Sequence, residues 1–237
     1  MQKYTATDRL VWKTLFERQA ENLTDKASAD YLNCLNKMST VISPKEIPNF
    51  EKVNEWFTTS TGWQIEVVPG LIPVEQFFEL LAQKRFCSST WLRTMEQLDY
   101  LEEPDMFHDI FGHIPLLANP TFSKFAHDFG KLGKSLIGNQ PALLKLQKLY
   151  WFTIEFGIIR EHSKIKSYGA GILSSFGETN RVAKKNCTIL PFNITEVVNK
   201  AFETDHLQEE YFLIESLNDL QNALEVLKIE LSRKIEL

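Results

Sequence analysis

The sequence predicts a mainly α-helical protein with short β-strands, folded as one domain over residues 1–237. Three observations support this. Apolar residues recur every three to four positions through most of the chain, the period of a helix packed on one face. Strict alternation is confined to brief stretches, so any strands must be short. No repeat, low-complexity tract or linker divides the chain, and 237 residues of which 43% are hydrophobic suffice for one large core.

Taken in order, Leu10, Val11, Thr14, Leu15 and Arg18 follow the capping candidates Thr7 and Asp8, predicting an amphipathic helix over Asp8 to Glu21. A second helix is expected from Ala27 to Met38, then a loop from Ser43 to Pro48. Pro48 suits the start of a third helix carrying Phe50, Val53, Trp56 and Phe57. Gly62 to Val68 alternates as a short strand that Pro69 and Gly70 stop, and Pro73 opens a helix with Val74, Phe77, Phe78 and Leu81 on one face. Further helices are expected over Ser89 to Asp99, Pro104 to Phe111, Asn119 to Gly130, Pro141 to Glu161 and Ile194 to Phe202. Short strands are expected over Ile165 to Tyr168 and Glu210 to Glu215. The terminal stretch Leu217 to Leu237 repeats Leu217, Leu220, Leu224, Leu227 and Leu231 at helical spacing, a stripe expected to pack on its own domain. The protein is accordingly expected as a monomer or weak homo-oligomer.

Composition excludes several classes. Met1 to Glu21 scatters charges through every apolar run, so no signal peptide is read there and a cytoplasmic location is expected. No run approaches the roughly 20 apolar residues of a membrane span. A net charge of -5 with scattered basic residues speaks against nucleic acid. Cys34, Cys87 and Cys187 are too far apart for a Cys-pair zinc site or a disulfide framework.

Two of the five histidines, His108 and His113, stand within six residues. On an ideal α-helix a separation of five turns the second side chain about 140° from the first. Gly112 and Pro115 supply a break, placing His108 on the last helical turn and His113 just beyond it. A third ligand is offered by Glu155, a carboxylate inside the apolar stretch Leu149 to Ile159. A buried carboxylate costs several kcal/mol unless something positive compensates it. Arg160 or a distant arginine could do so, but a divalent metal shared with two imidazoles solves the same problem and leaves coordination positions open. Zinc or manganese would fit the same ligands as iron.

Three segments resemble the pterin-dependent aromatic amino acid hydroxylases, in particular the compact bacterial phenylalanine 4-hydroxylases: Glu103 to Asp105 leading into His108 to Pro115, Tyr150 to Gly157, and Tyr168 to Glu178. The resemblance implies a single catalytic domain of that type without an N-terminal regulatory domain. It implies iron(II) on His108, His113 and Glu155, the catalytic centre. It implies a reduced pterin, tetrahydrobiopterin or a relative, near Gly70, Leu71, Ile72 and Phe77, with Asp109 in the cofactor site. It further implies Arg93 on the substrate carboxylate, held by Asp105, and Pro104, Trp151, Gly171 and Ser174 around the amino acid. Without it, Phe77 and Trp151 would be read as core and Asp109 as a solvated charge. Asp109 stands where animal members carry Glu, and Leu101 where they carry Thr, as in bacterial-type sequences.

The activity implied is ring hydroxylation of an aromatic amino acid by iron, reduced pterin and O2, with L-Phe to L-Tyr preferred. Tryptophan hydroxylation is the nearest alternative. A zinc hydrolase on the same ligands and a nonenzymatic metal-binding interaction module are the rivals from other classes.

Overall fold

Thr5 opens the first helix. Its hydroxyl accepts from the Asp8 amide while the Asp8 carboxylate accepts from the Thr5 amide, so Asp8 is the inner partner of a capping box and the helix begins two residues earlier than expected. In the computed structural model, which describes residues 3–99, 101, 103–202 and 207–233, this helix α1 spans Ala6–Leu23 and buries Val11, Trp12, Leu15 and Phe16. Ser28 and Asn49 cap α2 (Ala29–Lys37) and α3 (Phe50–Thr58).

Strand β1 (Gln64–Val67), helix α4 (Val74–Leu81) and strand β2 (Arg85–Ser88) form a strand-helix-strand unit whose strands pair in parallel. The sequence reading missed β2. Helix α5 (Pro120–Ser135), capped by Asn119, runs straight through Gly130, where a stop was expected. A Cβ on Gly130 would lie 2.5 Å from the Leu81 backbone, so this glycine permits close helix packing and ends nothing.

The helix expected over Ser89 to Asp99 does not form; only Met95–Gln97 makes a single 3-10 turn. Its backbone is bound elsewhere. The Ser89 amide donates to Asp109, the Arg93 amide to Asp105, and Trp91 gives its carbonyl to the Met106 amide. These long-range bonds displace the local ones that a helix needs.

Helix α6 (Gln140–Tyr150) passes into a π-helical stretch, Trp151–Glu155, and the chain then enters strand β3 (Ile158–Glu161) where the sequence reading extended the helix. Ile158 and Ile159 are β-branched and pair with Leu213 and Ile214 of strand β6 (Glu210–Ile214). Strand β4 (Lys164–Ser167) returns antiparallel to β3 through His162 and Ser163, both at positive φ. Helices α7 (Ala170–Leu173) and α8 (Phe176–Ala183) follow, then strand β5 (Thr188–Pro191) and helix α9 (Ile194–Asn199). The larger sheet has the order β4-β3-β6-β5.

Helix α10 spans Asn218–Arg233; the expected final residues 234–237 lie outside the described ones. Its stripe of Leu217, Leu220, Leu224, Leu227 and Leu231 is buried in the domain. No helix among the described residues is long and apolar enough to cross a membrane.

Candidate metal centre and its cavity

His108 and His113 meet because the chain from His108 to His113 is a π-helix, not because it breaks. In a π turn the backbone bonds close from i to i+5, so a residue five positions on returns over the first. The break expected at Gly112 is therefore absent, and Gly112 does not have positive φ. Its missing Cβ has another use: a side chain there would sit 2.9 Å from the Ala170 carbonyl, so the glycine lets α7 press against the histidine segment.

Glu155 ends the second π stretch, which closes with the Phe156 amide on the Trp151 carbonyl at 2.9 Å. Thr153 helps to loosen the preceding helix, because its hydroxyl donates to the Leu149 carbonyl. The three candidate ligands converge. His113 Nε2 lies 3.0 Å from one Glu155 oxygen, His108 Nε2 lies 3.6 Å from the other, and the two Nε2 atoms are 3.1 Å apart. The alternative partner Arg160 is occupied on the surface, 3.0 Å from Glu215.

Electrostatics prepare this cluster for a cation. Burial lowers the His108 imidazole to about 4, which leaves its ring neutral near pH 7. Burial opposes the Glu155 charge, but attraction to His113 and His108, with hydrogen bonds from His113 and Tyr150, brings the carboxyl down to about 2. Two imidazoles and an ionised carboxylate are the donor set of a facial triad, so these residues fit a divalent metal. Ser174 orients one ligand: its hydroxyl donates to the Ala170 carbonyl at 2.8 Å and meets His108 Nδ1 at 2.9 Å. With its own proton committed, Ser174 accepts from Nδ1–H, which leaves Nε2 as the lone-pair nitrogen facing Glu155.

The triad lines a cavity of about 370 Å³. Gly70, Leu71, Ile72, Phe77 and Asp109, expected at the cofactor, all line it, as do Pro104 and Trp151. Asp109 is half-buried instead of solvated; burial pushes its carboxyl up to about 7 against a hydrogen bond from the Ser89 amide. Three expected substrate residues are not among the lining ones. Gly171 packs against Phe156 and the Glu155 carbonyl, Ser174 sits behind His108, and Arg93 is buried with its Nε and Nη2 on the two oxygens of Asp105 at 2.9 and 2.8 Å. Burial opposes the Asp105 charge, and hydrogen bonds and charge from Arg93 hold the carboxyl below the usual carboxylate range.

The sequence reading missed Tyr150, Phe86 and Ser89. The Tyr150 ring stacks over His113 at 6.2 Å, and the Phe86 ring lies 4.6 Å from the same imidazole. Tyr150 stands five residues before Glu155, the same spacing as the two histidines, and that repeat was a usable signal. Phe86 and Ser89 carry no comparable mark.

Fold and site together present a candidate metal centre of the two-histidine, one-carboxylate type, set in a mixed but mainly helical domain with an apolar cavity beside it. Residues 1–237 match the biopterin-dependent aromatic amino acid hydroxylase family, and the chain belongs to it. It is 41% identical over 222 residues to a phenylalanine-4-hydroxylase of Ralstonia nicotianae, covering 93% of this chain and 70% of that protein. It superposes with a TM-score of 0.88 and 39% identity on the Chromobacterium violaceum phenylalanine hydroxylase with bound iron(III) and 7,8-dihydrobiopterin, covering 98% of this chain and 84% of that one. The apo cold-active enzyme of Colwellia psychrerythraea 34H gives a TM-score of 0.91 at 34% identity, covering 100% of this chain and 90% of that one.

Proposed function

We propose that this protein is an iron- and tetrahydropterin-dependent monooxygenase that converts L-Phe to L-Tyr. The convergence of His108, His113 and Glu155 at the wall of an apolar cavity carries the reading, and the family membership supports it. His108, His113 and Glu155 would hold iron(II), which together with the two electrons of a reduced pterin would supply the chemistry that puts one atom of O2 into the aromatic ring and releases the other as water.

The chain's own residues bind, orient and exclude water. His108 and His113 present neutral nitrogens and Glu155 a negative oxygen, and three protein ligands leave part of the coordination sphere to exchangeable groups. Ser174 fixes the tautomer of His108. The pterin is assigned to the wall of Gly70, Leu71 and Ile72, with the Phe77 ring stacking on it. Phe77 is itself held edge-on by Tyr150, 5.2 Å between centroids, which couples that wall to the Glu155 side of the site. The amino acid is assigned to the opposite side, against Trp151 and Pro104.

Arg93 is assigned to the substrate carboxylate through its Nη1 edge, which takes no part in the bonds to Asp105. Asp105 has a second duty: Oδ1 accepts from the His108 amide at 3.1 Å, so one carboxylate ties the carboxylate-binding arginine to the metal-bearing segment. Orientation of this kind, holding ring, pterin and metal at fixed separation in a water-poor cavity, is where the protein contributes to the rate.

The test is direct. Protein loaded with iron(II) and given tetrahydropterin and O2 should form tyrosine from L-Phe, faster than it hydroxylates L-Trp or L-Tyr. Absence of tyrosine with iron bound would overturn the proposal; faster turnover of L-Trp would move the substrate assignment and keep the reaction class.

A further inference from the structure

Trp151 forms a wall of the cavity, yet nothing in the metal cluster holds it. Its indole packs against two rings, Phe156 at 4.6 Å and Phe202 at 4.8 Å, the latter nearly parallel at 27°. Stacking alone lets a ring slide in its own plane. The edge is fixed by Gln208, whose Oε1 accepts from Trp151 Nε1 at 2.9 Å.

Gln208 comes from a different part of the chain, just ahead of β6, and polar contacts on both its side chain and its backbone hold it in place. Its Nε2 donates to the Glu210 carbonyl at 2.9 Å, which points Oε1, and not the amide nitrogen, at the indole. That orientation is the one required, because an indole N–H can only donate. Its backbone amide donates to Glu178 Oε1 at 2.8 Å, and Tyr211 donates to Glu178 Oε2. Gln208 and Glu178 are buried, so this is an internal strut running from α8 through Gln208 to the cavity wall.

Such a strut has no part in holding the metal ligands. Buried carboxylates and amides are retained only when satisfied, and here the satisfaction ends on the one polar atom of a cavity-lining aromatic ring. We propose that Gln208, braced by Glu178 and Tyr211, is a positioning residue that fixes the Trp151 indole and thereby sets how well the cavity discriminates between aromatic side chains of different size. The inference rests on the amino acid occupying the Trp151 side of the cavity.

The closing experiment compares Gln208→Met, which keeps the volume but removes both amide contacts, with Glu178→Gln, which keeps an acceptor for the Gln208 amide. Protein labelled with 5-fluorotryptophan gives a Trp151 resonance, assigned by its loss in Trp151→Phe. In Gln208→Met that resonance should shift or broaden, the KM for L-Phe should rise about five- to tenfold, the size expected for one lost buried hydrogen bond, and kcat should change less. Preference for L-Phe over L-Trp should fall by a similar factor, with bound iron unchanged. Glu178→Gln should stay close to the parent protein in all five readings.

An unmoved Trp151 resonance in Gln208→Met, or a moved one with unaltered KM and preference, would overturn the proposal. If the parent protein made no tyrosine, the catalytic reading would fail on its own. The strut would then be judged by the fluorine resonance and by the affinity for L-Phe in a calorimetric titration of the iron-loaded protein, which should drop in Gln208→Met.

Discussion

Two carboxylates lie at or beside the site, Asp105 fully buried and Glu155 half-buried at the cavity wall, and they are satisfied in different ways. Asp105 is fully enclosed and every contact that stabilises it belongs to the protein: two guanidinium bonds and an amide from Arg93, and a further amide from His108. Glu155 faces a cavity and meets two imidazoles and a tyrosine hydroxyl, groups that partner it without neutralising it when the imidazoles are uncharged. The first carboxylate is complete as the chain folds. The second is left with room for a cation beside it. A buried charge marks a functional site when its partners leave it short of compensation, and a structural one when they do not.

The largest effect should come from breaking the incomplete side. His113→Ala removes one of three ligands and should abolish iron binding and tyrosine formation together, measured by metal analysis and turnover. Iron-dependent turnover near the parent level would end the triad assignment.

Breaking the complete side should instead destabilise the fold. Arg93→Ala leaves Asp105 buried without its cation and should lower the unfolding free energy by about 3–5 kcal/mol in denaturant titration, besides raising the KM for L-Phe. A loss below about 1 kcal/mol would show that water reaches Asp105 and that the pair is not the sealed unit described.

Ser174→Ala sharpens the contrast, since it leaves all three ligands in place and removes only the group that orients His108. Metal affinity should fall about 10- to 100-fold in a competition titration, with thermal stability of the metal-free protein little changed.

The smallest effect concerns acid. In the metal-free protein the Glu155 carboxyl lies at about 2 against an ordinary value of 4.5. A depressed carboxyl contributes stability that is fully present above the ordinary value and lost as pH falls toward the folded one. Between pH 4.5 and 2 the unfolding free energy of the metal-free protein should therefore drop, and Glu155→Gln should reduce that slope by up to one proton, about 1.4 kcal/mol per pH unit. Asp105 is depressed as well, so a residual slope should survive in that variant.

Much of the site could be read in the chain because its chemistry is unusual for its surroundings. Two histidines within six residues and a glutamate in an apolar run stand out whatever the backbone does. The way they meet was not legible. Reasoning with a 3.6-residue period turns His113 away from His108 and asks for a break, whereas the chain widens its turn to i+5 under the press of α7 and the hold of Asp105 and Tyr31, whose hydroxyl donates to the Phe111 carbonyl at 2.7 Å. Strand β4 was legible as Ile165 to Tyr168, but its pairing with β3 was not: the turn uses His162 and Ser163 at positive φ in place of the Asn-Gly pair that announces such turns. Residues 89–99 have helical spacing and form none of the expected helix, because Asp105 and Asp109 claim their amides.

By itself the sequence determined which groups are present and which faces are apolar: the helical periodicity of α1, α5 and α10, the helix start at Asn119, and a set of donor atoms able to hold a metal in a greasy environment. Those properties are local, since they depend on spacing and on the intrinsic chemistry of side chains. Tertiary structure alone decided the π turns, the placement of Arg93 and Ser174 behind the cavity wall, and the bracing of Trp151 by Gln208. Each of these joins residues distant in the chain, and competition among long-range hydrogen bonds for the same backbone and side-chain atoms leaves no periodic trace in the order of residues.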